Sequence, residues 1–65
     1  NNIKTSASYY YQTGLMSLEE NNNLRLYKSL KALKRLSTKN LTANEYYDML
    51  GIKVSNFLKA KLINS

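Results

Sequence analysis

Between Leu24 and Ser37 leucine returns every third or fourth residue, at Leu26, Leu30, Leu33 and Leu36, with Arg25, Lys28, Lys31, Lys34 and Arg35 set between. At about 100° per residue the leucines gather on one arc, and Lys28, Lys31 and Arg35 fall opposite, flanked by Arg25 and Lys34. The spacing predicts an amphipathic helix over 24–37, with one face in a core and the other a cationic stripe. Its interior uses good helix formers.

The rest of the 65-residue chain reads the same way. It contains no proline and only two glycines, Gly14 and Gly51. So few breakers point to helices joined by short loops, since an all-β chain of this length needs more turn residues. Residues 1–5 read as a loose lead-in. Ser6–Glu20 reads as a helix interrupted near Gly14, and Asn21, Asn22 and Asn23 as a loop or cap, because asparagine competes for helical backbone bonds. After a polar connection over 37–41, Thr42 and Glu45 have the spacing of a capping box. Gly51 fits the left-handed position that closes many helices, and a last helix is expected over 54–63. The fold class is therefore all-α: one domain over 1–65, a three- or four-helix bundle ending in a helical hairpin over 42–63.

Chemistry is bounded by what the chain lacks. Without histidine or cysteine it has neither the commonest general base nor the strongest nucleophile, and no thiolate metal site or disulfide. The four carboxylates are Glu19, Glu20, Glu45 and Asp48. Glu45 and Asp48 could share a helix face, where capping and dipole compensation are their expected roles. No catalysis, cofactor, metal or small-molecule substrate is expected. No run approaches the roughly 20 apolar residues of a membrane span, so the expected setting is intracellular, cytoplasmic or nucleoid-associated. So small a core leaves stability to helix packing, to a homodimer, or to a larger parent protein.

What remains is charge. Ten Lys or Arg against four Asp or Glu give a net charge of +6, an excess that an anionic partner would relieve. From Arg25 to Lys39 there are six cations and no acid. A solvated helix face usually mixes both signs, whereas a stripe of one sign can lie along a phosphate backbone. Tyr9, Tyr10 and Tyr11 can stack on bases or pack with their rings inside; three consecutive positions cannot all be buried by one helical face.

Residues 41–62, with Tyr46, then Leu50, Gly51 and Ile52, then Phe57, resemble a helix-turn-helix DNA-binding motif, in which a turn glycine separates a short helix from one that enters the major groove. Tyr47 stands where the family favours a small residue, and Lys53 where it often has serine. The resemblance implies that Ser55, Asn56 and Lys59 face base edges, with Lys53 and Lys61 joining Arg25, Lys28, Lys31, Lys34 and Arg35 on phosphates. The expected function is duplex DNA binding, sequence-specific or architectural, in a regulatory or accessory role. The other reading is a helical protein-interaction or oligomerisation module built on Leu15, Met16, Leu18 and the tyrosines.

Overall fold

The computed structural model describes residues 2–64, which form three helices: α1 (Asn2–Glu19), α2 (Asn23–Ser37) and α3 (Leu41–Asn64). Each packs against the other two. The expected all-α bundle is thus present, in its three-helix form.

The α1–α2 connection is built from the asparagines. Asn21 takes a left-handed backbone, with φ of 56°, a conformation asparagine tolerates better than most residues. Asn22 caps α2, its side chain accepting from the Arg25 backbone N–H at 3.1 Å. The second connection ends on a cap two residues earlier than expected. Asn40 Oδ1 accepts from the N–H groups of both Thr42, at 2.8 Å, and Ala43, at 3.2 Å. The Thr42–Glu45 capping box is therefore not the start of α3: Thr42 already lies inside the helix, with its amide claimed by Asn40.

The buried apolar side chains are few. Ala7 and Tyr11 come from α1, Leu33 from α2, and Ala43 and Leu50 from α3. Leu26, Leu30 and Leu36 pack around them half-buried, as their spacing requires. Small residues set the helix separation. α1 buries Ala7, Tyr11, Gly14 and Ser17, a spacing of four, three and three that keeps them on one face. The buried hydroxyls bond back within their own helices: Ser17 donates to the Thr13 carbonyl at 2.7 Å, and Ser29 to the Arg25 carbonyl at 2.9 Å. Neither is left without a partner, which removes the penalty of burying them.

Three expected boundaries are not observed. The lead-in over 1–5 is helical from Asn2 (Asn1 lies outside the described residues). Gly14 does not interrupt α1: it leaves the space into which Leu50 packs, and a Cβ there would sit 2.5 Å from Leu50 Cδ2. Most consequentially, there is no hairpin over 42–63, because α3 runs unbroken through Gly51. A glycine inside a helix costs about 1 kcal/mol relative to alanine. Leu50, Val54 and Phe57 continue the apolar stripe across it at spacings of four and three, and a helix already nucleated propagates through a single glycine. Gly51 keeps a negative φ, so it makes no left-handed close.

α1 and α3 run parallel and in register. Tyr11 and Tyr46 lie with ring centroids 4.9 Å apart, and Gly14 is level with Leu50, an offset that places the end of α1 beside residue 55. The last turns of α3 therefore extend about 13 Å beyond the α1–α2 turn, at 1.5 Å per residue. Residues 58–64 are all exposed.

Candidate nucleic-acid interface

The cationic stripe is built by α2 alone. With Leu33 fully buried, helical geometry turns Lys28, Lys31 and Arg35 to the opposite side, within about 60° of one another, with Lys34 on the flank toward α3. All four are exposed. Among the described residues none of them pairs with a carboxylate; the ion pair there is Arg25 with Glu20, at 3.2 Å. Arg25 is thus partly committed to the α1–α2 turn, and its neighbours are not. Lys34 and Arg35 occupy the last turn of α2, where positive charge also suits the helix dipole. Lys39 follows in the connection, exposed.

Two tyrosines border this face that the sequence did not single out. Tyr27 is exposed, with Lys31 Nζ 5.6 Å from its ring centroid. Half-buried Tyr47 of α3 closes a shallow recess with Tyr27, Leu30, Lys31 and Lys34. The signal was available: Tyr27 lies one residue before Lys28 and four before Lys31, a spacing that sets ring and ammonium side by side on a helix.

The α3 residues do not join that face. Ser55, Asn56 and Lys59 line a second open groove between α2 and α3, together with Leu30, Tyr47 and Asp48. Asp48 places a carboxylate in that groove, whereas the outer face of α2 has none. Lys53 points to a different side of α3 from Lys59. Lys61 turns toward the inner side of the overhang, its Nζ 4.7 Å from the Phe57 ring centroid. The turn that a helix-turn-helix needs is missing, so Ser55, Asn56 and Lys59 do not sit at the start of a separate second helix. The lysines counted together along the sequence divide into an α2 set on one face and an α3 set spread around its helix.

The tyrosine run divides by direction. Tyr11 is buried against Tyr46, Tyr10 is half-buried, and Tyr9 is exposed, with its ring edge-on to Tyr10 at 5.3 Å. Tyr11 packs its ring in the core and is not available to stack on a base. Among the described residues no three side chains of Asp or Glu gather as a metal site, and no helix is long and apolar enough to cross a membrane.

No family model matches the chain, and no curated protein or solved structure matches it either.

Proposed function

We propose that this bundle is a non-catalytic nucleic-acid-binding domain that grips the phosphate backbone of duplex DNA with the outer face of α2. The observation that carries the reading is the set Lys28, Lys31, Lys34 and Arg35, exposed on one helix and, among the described residues, without carboxylate partners. From Lys28 to Arg35 is about 10 Å along the helix axis, matching roughly three steps of 3.4 Å rise, and so four phosphates, of one strand. Tyr27 beside Lys31 adds an aromatic surface for sugar or base edges. Such contacts fix position and supply affinity without reading sequence. The function is therefore architectural or accessory, and the chain works in the cytoplasm or on the nucleoid.

The test is an anisotropy titration of a labelled duplex at several salt concentrations. Four phosphate contacts give a log–log slope of about −3.6. No binding at low salt, or binding indifferent to salt, eliminates the reading. An unrelated polyanion bound equally well would reduce it to net charge.

A further inference from the structure

The overhang of α3 carries apolar side chains where the bundle no longer covers them. Phe57 is half-buried with Lys61 over its ring, and Leu58, 54% exposed, stands beside it at the rim of the groove between α2 and α3. Leu62 continues the same ridge four residues on, 77% exposed. The whole chain exposes 4854 Å². A compact monomer of 7.5 kDa exposes about 4,250 Å². The excess of about 600 Å² reflects the elongated body, 42 × 18 × 13 Å along its principal axes, to which the overhang contributes.

We infer that the overhang is the contact of a two-fold dimer, in which the last turns of α3 from two copies of this chain lie antiparallel, each filling the space beneath the other's α1–α2 turn. Charge favours this arrangement over a looser apolar association. The overhang holds Lys59 and Lys61 and no acid, so parallel pairing would bring like charges together. The α1–α2 turn holds Glu19 and Glu20, half of the chain's carboxylates. Lys61 lies about 9 Å beyond its own turn, so antiparallel overlap brings it within about one helical turn of the partner's Glu19. Glu19 is exposed and makes no ion pair within its own chain among the described residues. Leu58 of each copy meets the apolar ridge of the other. An isologous contact of this kind is closed, with each patch used once by each copy.

The inference does not rest on the nucleic-acid reading, and its test contains no nucleic acid. Sedimentation equilibrium at physiological salt should show a monomer–dimer equilibrium with a dissociation constant on the order of 10 µM, the weak end expected for so small an interface. Leu58→Asp should give a monomer with an unchanged helical circular-dichroism spectrum. Glu19→Lys or Lys61→Glu alone should weaken the dimer about three- to tenfold, and the two together should restore it. The inference is overturned by a wild-type chain that stays monomeric to several hundred micromolar, or by a dimer that survives Leu58→Asp. Failure of the paired charge reversal to restore association overturns the antiparallel geometry in particular.

Discussion

α3 is one helix in two environments. Over its first half, Ala43 and Leu50 are fully buried and Tyr46 packs on Tyr11, with α1 and α2 on either side. From residue 58 to residue 64 every side chain is exposed, although the backbone keeps the same conformation. The two glycines sharpen the contrast. Gly14 faces Leu50 with no room for a methyl group, while Gly51, one residue on in α3, has nothing within 4 Å of the position a Cβ would take. Helicity along α3 is continuous, but the reasons for it are not. In the bundle, packing fixes the helix and demands small residues. In the overhang, the helix extends from a nucleus already formed, since propagation is far easier than nucleation.

Substitutions can break that contrast. The largest effect is expected at Leu50, where alanine removes a fully buried side chain and should destabilise by about 2–5 kcal/mol, read as a lowered midpoint in urea. Gly14→Ala comes next. Overpacking against Leu50 costs about 1–3 kcal/mol and the gain in helix propensity returns about 1 kcal/mol, so a net loss of roughly 1 kcal/mol is expected. Gly51→Ala, the same substitution without a neighbour, should raise stability by about 0.5–1 kcal/mol. Opposite signs at the two glycines would establish that α3 is packed on one side of Gly51 and continuous through it; a loss at Gly51 would restore the hairpin. Smallest of all, Leu58→Ala should change monomer stability by less than about 0.5 kcal/mol, measured at a concentration too low for association.

Much of this was legible in the sequence, and the failures share a cause. α2 could be read because its leucines and cations alternate at helical spacing and a run of three asparagines marks its start. The structure gives two of those asparagines separate tasks, Asn21 the left-handed turn and Asn22 the cap. A glycine signals a break only when no apolar run continues across it. Here Leu50 fills the space at Gly14, and the run Leu50, Val54, Phe57 spans Gly51. Once the hairpin is gone, the α3 lysines and the Ser55, Asn56 and Lys59 set lose the shared direction that the helix-turn-helix resemblance implied. The α2 cations keep theirs, because their direction follows from the leucine stripe beneath them. Tyr27 and Tyr47 border the cationic face through one local spacing and one tertiary contact, and only the first was visible in sequence.

The central claim is that the outer face of α2, not the overall charge, holds the polyanion. The most direct measurement compares Lys31→Ala with Lys53→Ala in salt-dependent titrations of the same duplex, since both remove one charge from an exposed position. Lys31→Ala should weaken binding to every sequence and reduce the magnitude of the log–log slope by about 1, with Lys53→Ala leaving the slope unchanged. Equal losses from both would contradict it, and would mean that net charge alone attracts the DNA.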